Sequence, residues 1–250
     1  MHLSWLGCAG FEIRTATQSF LIDPYFTRNA AASPKQPKSP AQMDSPCAVF
    51  LSHGHFDHIL DTPEIASCFS PGIFGSPEAI QKLADKNISQ SILNIISHNG
   101  QTIDFQSFRA QAFFSHHVRF DAKVVLKTLA RINLKFFKIL PLFRNFPCGQ
   151  VLAWHFIIED KHVLFFGSAG AKKEDLLALK NEFPVDILLL PLQGHSKILD
   201  IGFGIVETLK PEIVIPQHFD DFYPPISQTV DILPFEAKVK SSLGQSTRVI

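Results

Sequence analysis

The segment best suited to chemistry lies at residues 53–58 and carries three histidines and one aspartate: His53, His55, Asp57 and His58. Imidazole nitrogen and carboxylate oxygen are ligands of borderline cations such as Zn²⁺. In an extended loop, the alternate spacing of His53 and His55 directs both imidazoles to the same side. Asp57 and His58 then turn toward a second position. The pattern predicts a metal site, at which three histidine ligands would leave a fourth position open for water.

The elements around this segment must present it at the edge of a folded core. Residues 47–51, directly before it, form a continuous apolar run typical of a strand buried on both faces. The Thr62-Pro63 and Ser76-Pro77 pairs each place a capping hydroxyl before a proline, so short helices are predicted to begin there. Apolar patterns predict further strands at residues 2–6, 11–15, 19–22, 103–114, 151–158, 163–166, 185–190 and 213–216, and helices at 171–182 and 201–209.

Composition indicates a folded domain without a strong charge. The chain has 250 residues with 23 Lys and Arg against 23 Asp and Glu, which argues against a general nucleic-acid binder, since such proteins need a cationic excess. Hydrophobic residues make up 46% of the chain, enough for a substantial core. The apolar runs are too short or too interrupted to predict a transmembrane segment. The composition leaves open whether the chain forms a homo-oligomer.

The cysteines and the first residues of the chain bear on its location. The four cysteines form no CxxC pair and no dense framework, so we expect reduced thiols. Cys8 and Cys68 are interpreted as small buried hydrophobic residues. Because no secretory signal opens the sequence, we expect a cytoplasmic protein.

Residues 120–146 combine six basic side chains with many Leu, Ile and Phe residues. The basic positions recur every three or four residues, which is helical spacing. We therefore expect a single domain over residues 1–250, with an inserted amphipathic helix or cap at residues 118–148. One interpretation packs the apolar side of this helix on the core and leaves its lysines in water. The other makes the segment a cap over an active site or a lipid-facing surface.

The chain resembles the metallo-β-lactamase superfamily, whose signature is an HxHxDH loop at the end of a buried strand. Residues 5–11 (WLGCAGF), 21–24 (LIDP), 188–194 (LLLPLQG) and 210–219 (KPEIVIPQHF) are similar, in this order, to blocks of the branch of L-ascorbate-6-phosphate lactonase-like Zn-dependent hydrolases. The resemblance covers nearly the whole chain. It implies the α+β fold of this superfamily, a four-layer αββα sandwich with the site at one edge between two sheets.

The resemblance also implies which residues hold metal. His53 and His55 match ligands of a first metal position, whereas Asp57, His58 and His218 match ligands of a second. The implied cofactor is Zn²⁺, one or two ions per chain, with Mn²⁺ or Fe²⁺ as alternatives.

The remaining ligand of the first position should follow the strand that ends at residue 114. Both His116 and His117 stand there. The block at residues 115–121 resembles a recurring block of the branch and favours His117, with His116 as the alternative.

The sequence departs from the family pattern after the strand at residues 163–166. The family has Gly-Asp-Thr there, and its Asp bridges both metals, whereas this chain has Gly167-Ser168-Ala169. A neutral hydroxyl binds metal weakly, so we expect a less negative site and weaker binding at the second position. A single ion at the three-histidine position would still lower the pKa of water toward about 7, with Asp57 as the general base.

Three other residues are candidates to support the site or contact substrate. Asp23 resembles the carboxylate that orients a ligating imidazole from behind, and its alternative role is that of a turn residue. His195 lies in a glycine-containing loop after a predicted strand, and Tyr223 follows closely after His218. Functional residues favour loops, so His195 and Tyr223 are candidates for substrate contact, with a surface position as the alternative for His195.

Together these features predict a metal-dependent hydrolase. Metal-activated water would attack an ester, lactone, amide or phosphodiester bond of a small cytoplasmic metabolite, with no nucleic-acid partner. The alternative is a metal-binding sensor or scaffold of the same fold whose hydrolytic activity is impaired, because Ser168 replaces the expected bridging Asp.

Overall fold

Two β-sheets form the centre of the computed structural model, which describes residues 1–35, 38–131, 141–142 and 144–250. In spatial order, the first sheet contains β1 (His2–Gly7), β2 (Gly10–Arg14), β3 (Ser19–Ile22), β4 (Ala48–Phe50), β5 (Gly72–Gly75) and β6 (Leu93–Ile95). The second contains, from one edge to the other, β7 (Gln101–Asp104), β8 (Phe108–Ser115), β9 (Val151–Ile158), β10 (Lys161–Phe166), β11 (Ile187–Pro191), β12 (Ile213–Gln217) and β13 (Arg248–Val249).

Strand direction decides where the loops of the site meet. Strands β3 and β4 are parallel, so the segments that follow them leave the first sheet at the same edge. In the second sheet β8 runs antiparallel to β9, and β9 runs antiparallel to β10. Strands β10, β11 and β12 are parallel to one another. Consequently β8, β10 and β12 end at one edge, where their following loops can assemble a site.

Aromatic side chains fill the space between the two sheets. Phe20 of the first sheet stacks on Phe108 of the second, with ring centroids 4.3 Å apart. Phe50 of β4 lies 4.9 Å from Trp154 and 5.0 Å from Phe156. All five side chains are buried, and burying one such ring contributes about 1.5–3 kcal/mol. Phe50 belongs to the continuous apolar run before the HxHxDH segment, so this run packs at the interface between the two sheets.

Helices cover the outer faces of both sheets. The helices are α1 (Phe56–Ile59), α2 (Thr62–Phe69), α3 (Pro77–Ala84), α4 (Ala122–Arg131), α5 (Lys173–Glu182), α6 (Ile198–Leu209) and α7 (Leu233–Leu243). The apolar sides of α1, α2 and α3 pack on the first sheet, and those of α5, α6 and α7 pack on the second. The predicted four-layer αββα sandwich is thus confirmed.

Several elements differ from the sequence prediction. The single strand predicted at residues 103–114 is a hairpin of β7 and β8, in which the N–H of Phe105 donates to the carbonyl of Phe108 and closes the turn. Helices begin at Thr62 and Pro77, as the proline pairs predict. Strands β5, β6 and β13 and helix α7 were not predicted, because their short or weakly periodic apolar patterns gave no clear signal.

The insertion predicted at residues 118–148 is described only in part. Its helix α4 spans Ala122–Arg131, and residues 141–142 and 144–145 are also helical. Residues 132–140 and 143, which include Lys135 and Lys138, lie outside the described residues. The role of this segment as an inserted cap stays a prediction. Among the described helices, none is long and apolar enough to cross a membrane.

Candidate metal centre

The HxHxDH segment begins two residues after strand β4. His53 follows the strand and is buried, and His55 occupies the N-cap position of the short helix α1. His53 Nε2 lies 3.0 Å from His55 Nδ1, so the two imidazoles converge as their alternate spacing predicts. Helix α1 then turns Asp57 and His58 into a separate position, and both of these side chains are buried.

A first cluster gathers around the two converging imidazoles. Ligand atoms of His53, His55, His117 and Cys148 all lie within 4.8 Å of one another. His117 follows strand β8, and its Nδ1 atom lies 2.7 Å from the carbonyl oxygen of Val118. An Nδ1–H that donates to this carbonyl leaves Nε2 free to bind a cation. The cluster supplies three imidazoles, as a catalytic zinc site requires.

The neighbouring His116 points elsewhere. Its side chain is about half exposed, and its Nε2 atom lies 3.7 Å from Oδ2 of Asp175 on helix α5. Of the two histidines that the sequence offered for the first position, the structure therefore places His117 with His53 and His55.

A second cluster lies beside the first. Ligand atoms of Asp57, His218 and Cys8 lie within 4.8 Å of one another. Oδ2 of Asp57 is 3.2 Å from Nε2 of His218 and 3.6 Å from Nε2 of His58. His218 directly follows strand β12 and has a positive φ of 55°, a strained backbone that fixes its ring toward Asp57. The ligands inferred for the second position are thus near one another.

Cys8 was missed as a site residue by the sequence interpretation. The thiol is buried, as that interpretation expected, but it contacts Asp57 and His218 rather than only hydrophobic neighbours. Cys148 was missed in the same way at the first cluster. Their sequence positions gave no signal, because neither cysteine has a partner at metal-ligand spacing.

Asp23 lies behind the second cluster. Its Oδ2 atom is 2.6 Å from Nδ1 of His58, and its Oδ1 atom accepts the backbone N–H of Ser52 at 2.7 Å. The Ser52 hydroxyl in turn lies 2.9 Å from Nδ1 of His53. Hydrogen bonds of this kind fix the tautomer and the ring orientation of a ligating imidazole. Asp23 therefore contacts the His58 ring directly and reaches the His53 ring only through Ser52.

Burial and neighbouring charges keep His53, His55 and Asp57 in the forms that metal binding needs. Burial lowers the pKa of His53, and it lowers the pKa of His55 to about 4, so both imidazoles are neutral at pH 7. Burial raises the pKa of Asp57, but His58 and the hydrogen bond from His218 outweigh it and lower that pKa below its ordinary value. Neutral imidazoles and an ionised carboxylate together fit a divalent cation.

Ser168 stands where a bridging carboxylate was expected, in the loop after strand β10. Its side chain is buried, and its hydroxyl oxygen accepts the backbone N–H of Val118 at 2.9 Å. Gly170, two residues on, packs against the backbone of His117 so closely that a Cβ atom would lie 2.4 Å from the His117 carbonyl oxygen. The Ser168 loop thus holds the segment that carries His117.

Side chains from both clusters, among them His55, His117 and His218, line a cavity of about 470 Å³. Helix α4 contributes apolar side chains and two cations, Lys127 and Arg131, to its lining. His195 lines the cavity. Tyr223 is not among the described lining residues; its ring packs on Phe56 with centroids 5.1 Å apart. The neighbouring Phe222 lines the cavity instead.

A two-sheet sandwich with a histidine-rich metal centre at one edge defines the class of this protein. The family model described as a beta-lactamase superfamily domain matches residues 2–218, and the chain belongs to this family. The superfamily and fold inferred from the sequence are thereby confirmed. The ascorbate-phosphate lactonase branch stays a prediction.

Individual relatives agree with this assignment. The chain is 28% identical to a UPF0173 metal-dependent hydrolase of Methanopyrus kandleri over 255 residues, which cover 100% of this chain and 96% of the relative. The fold of this chain is similar to that of Igni18, a metallo hydrolase from Ignicoccus hospitalis, with a TM-score of 0.68 and 18% identity. The match covers 99% of this chain and 93% of Igni18. The fold is also similar to that of CmlA, a diiron β-hydroxylase from Streptomyces venezuelae, with a TM-score of 0.64, 14% identity and coverage of 99% and 52%.

Proposed function

We propose that this protein is a hydrolase that uses metal-activated water on an ester, lactone or phosphodiester bond of a small cytoplasmic metabolite. The observation that carries the proposal is the convergence of His53, His55 and His117, of which His55 and His117 line the cavity. The name of the Methanopyrus kandleri relative, a metal-dependent hydrolase, supports the reaction class.

The donor chemistry fits Zn²⁺ at the three imidazoles, with a second ion at Asp57, His58 and His218. Mn²⁺ and Fe²⁺ share these ligand types, and CmlA, whose chain is matched over 52% of its length, is a diiron enzyme. When bound, such an ion lowers the pKa of a coordinated water and polarises the oxygen of the scissile bond.

The residues of the chain then bind and orient the substrate and transfer protons. When only the three-histidine position is filled, Asp57 would accept a proton from the attacking water, because it is an ionised carboxylate that borders the cavity. Its lowered pKa makes it a weak base that passes the proton on rather than keeping it. His195 also lines the cavity, and its proposed role is to contact the substrate or its leaving group.

The cavity lining suggests what kind of substrate enters. Helix α4 places Val124 and Leu129 in the lining together with Lys127 and Arg131. An apolar wall beside two cations suits a substrate with an apolar body and an anionic group. The substrate is therefore proposed to be a small amphiphilic ester, lactone or phosphodiester.

Ser168 favours a second candidate function. The buried hydroxyl is engaged by the N–H of Val118, and no carboxylate takes its place between the clusters in the described part of the chain. A site without a bridging carboxylate holds a second ion less firmly. In this alternative, the protein binds metal as a sensor or scaffold and has impaired hydrolysis.

The test combines metal content with turnover. Protein purified without added metal is analysed by mass spectrometry and assayed on p-nitrophenyl acetate, p-nitrophenyl octanoate, a medium-chain γ-lactone and bis(p-nitrophenyl) phosphate. We expect turnover that is lost on chelation and restored by Zn²⁺. His53→Ala, purified identically, should be inactive, which excludes a contaminating hydrolase. Bound metal without turnover on any of these substrates would instead support the sensor or scaffold.

A matched pair of variants tests the apolar wall. Leu129 and Leu126 are both exposed leucines of helix α4, but only Leu129 is among the residues that line the cavity. If octanoate is a substrate, Leu129→Ser should raise KM for it more than for acetate. Leu126→Ser should leave both KM values unchanged. Equal effects of the two variants would contradict the proposed wall.

A further inference from the structure

We propose that Cys8 is a thiolate ligand of the ion at the second metal position, where it supplies the anionic donor that Ser168 does not. This inference rests on the proposed metal-dependent function and adds a residue to its site. The steps below concern the placement of Cys8, the geometry of its sulfur atom and the charge of the site.

The backbone of Cys8 is fixed against the site by three hydrogen bonds. Its N–H donates to the carboxylate of Asp220 at 3.0 Å, and its carbonyl oxygen accepts the N–H of His218 at 2.8 Å. The indole N–H of Trp5 donates to the same carbonyl at 3.0 Å. Cys8 adopts a left-handed φ of 50°, which non-glycine residues rarely occupy. These contacts hold the thiol in one direction despite that strain.

Asp220 is itself held by a buried ion pair. Its Oδ2 atom lies 2.8 Å from Nη1 of Arg28, and both side chains are almost completely buried. The guanidinium in turn packs over Gly7, where a Cβ atom would lie 1.9 Å from Nη2. The turn that carries Cys8 is therefore built around the neutralised ion pair of Arg28 and Asp220.

The distances from the Cys8 sulfur atom to its neighbours match those between two ligand atoms of one metal ion. Cys8 Sγ is 3.6 Å from Oδ2 of Asp57 and 3.6 Å from Nε2 of His218. In a tetrahedral site with Zn–S of about 2.3 Å and Zn–N or Zn–O of about 2.1 Å, donor atoms are roughly 3.4–3.6 Å apart. The observed distances, including 3.2 Å between Asp57 and His218, are close to this spacing. A cation fits among these three atoms without large movement.

A Cys8 thiolate would also add a second negative charge at the second metal position. Asp57 contributes one negative charge, and the expected bridging carboxylate is replaced by the neutral Ser168. On binding, the S–H bond of Cys8 breaks, a sulfur–metal bond forms, and the proton passes to the solvent buffer; no electron is transferred. Because thiolate is a soft ligand, we expect the second position to prefer Zn²⁺ or Co²⁺ over Mn²⁺.

Co²⁺ reports directly on sulfur ligation, because a thiolate–Co²⁺ bond gives an intense charge-transfer band in the near ultraviolet. The full-length chain is prepared as Cys47→Ser/Cys68→Ser/Cys148→Ser, which leaves Cys8 as its one cysteine. Titration of the metal-free protein with Co²⁺ should give this band as the second position fills. The matched control Cys8→Ser/Cys47→Ser/Cys68→Ser keeps only Cys148. It shows whether a thiolate band also arises at the first cluster.

The outcomes separate this inference from the proposed function. A charge-transfer band in the variant that retains only Cys8 supports the ligand assignment, whether or not the protein hydrolyses any substrate. Co²⁺ binding seen by visible d–d bands, without a thiolate band, overturns the assignment and leaves the hydrolase proposal intact. If no Co²⁺ binds, both fail. Because the decisive variant retains Cys8, the test does not depend on the folding of Cys8→Ser alone.

Discussion

The hydroxyl oxygen of Ser168 accepts a hydrogen bond from the backbone N–H of Val118 at 2.9 Å, one residue beyond His117. The loop after strand β10 thereby fixes the loop after strand β8. The family pattern predicts a metal-bridging aspartate at this position, whereas the Ser168 hydroxyl contacts the segment that carries the proposed ligand His117.

Ser168→Ala should loosen His117 without removing any ligand. Loss of the hydrogen bond should lower the free energy of unfolding by about 1 kcal/mol. Disturbing a group that orients a ligand typically weakens metal affinity 10–100-fold, and we expect an effect near the lower end of this range. Competition against a chromophoric zinc chelator measures the affinity, and urea denaturation of the metal-free protein measures stability.

Ser115→Ala is the matched control for this prediction. Ser115 is also buried and ends strand β8, but within the described residues its hydroxyl has no hydrogen-bond partner. The control should change metal affinity less than about 3-fold, since no positioning contact is lost. A similar loss of affinity in both variants would show that Ser168 acts only through general packing.

Asp23→Asn should weaken the second metal position selectively. The carboxylate of Asp23 fixes the Nδ1–H tautomer of His58 through one oxygen and accepts the Ser52 N–H at the other, whereas an amide of the same size has a single acceptor oxygen. Affinity for the second equivalent of Zn²⁺ should fall roughly 10–100-fold. The measurement is stepwise chelator competition, with the exposed Asp104→Asn as the control. Equal weakening at both positions would mean that Asp23 supports the whole loop through Ser52.

Parts of this site were accessible from the sequence and parts were not. A ligand run directly after a buried strand is a local pattern, so His53, His55, Asp57 and His58 could be named together with their strand. His117, His218 and Asp23 were inferred only through the family resemblance, because the chain folds them into place from distant segments. The αββα layering followed from the same resemblance rather than from any single strand pattern.

Cys8 shows why the remainder could not be predicted. It lies 49 residues from Asp57 and 210 residues from His218 in the chain, and the packing of the two sheets against each other brings the three together. The turn between β7 and β8 was missed for a different reason. Phe105 and Phe108 are both apolar, so the hairpin continues the strand-like pattern on either side of the bend.

His155 should make the protein less stable in mild acid. Its ring is buried and stacks on Phe183 with centroids 3.6 Å apart. Burial and the neighbouring His162 lower the pKa of His155 to about 4, below its ordinary value of 6.5. The unfolded chain therefore binds a proton near pH 6.5 that the folded chain resists until about pH 4. The stabilising contribution is complete above pH 6.5 and is lost progressively as the pH falls toward 4.

The measurement is the urea midpoint of metal-free protein between pH 7.5 and 4.5. His155→Phe removes the titrating group and keeps a ring to stack on Phe183, so its midpoint should fall less on acidification than that of the natural protein. His98→Gln removes an exposed histidine and serves as the control. A parallel decline in all three proteins would assign the acid sensitivity to other groups.

Adjacent histidines give the sharpest test of the first metal position. His117→Ala removes one of three converging imidazoles, and this loss should exceed the 10–100-fold effect typical of groups behind a ligand. We therefore expect affinity for the first equivalent of Zn²⁺ to fall by more than about 100-fold, with loss of any hydrolytic activity. His116→Ala changes the neighbouring, half-exposed side chain that faces Asp175, so it should retain full affinity. Isothermal titration on both metal-free variants makes the comparison, with thermal unfolding to verify that each is folded. Equal losses of Zn²⁺ affinity in both variants would mean that each acts by disturbing the loop and not by removing a ligand. Loss of affinity in His116→Ala alone would assign the ligand role to His116.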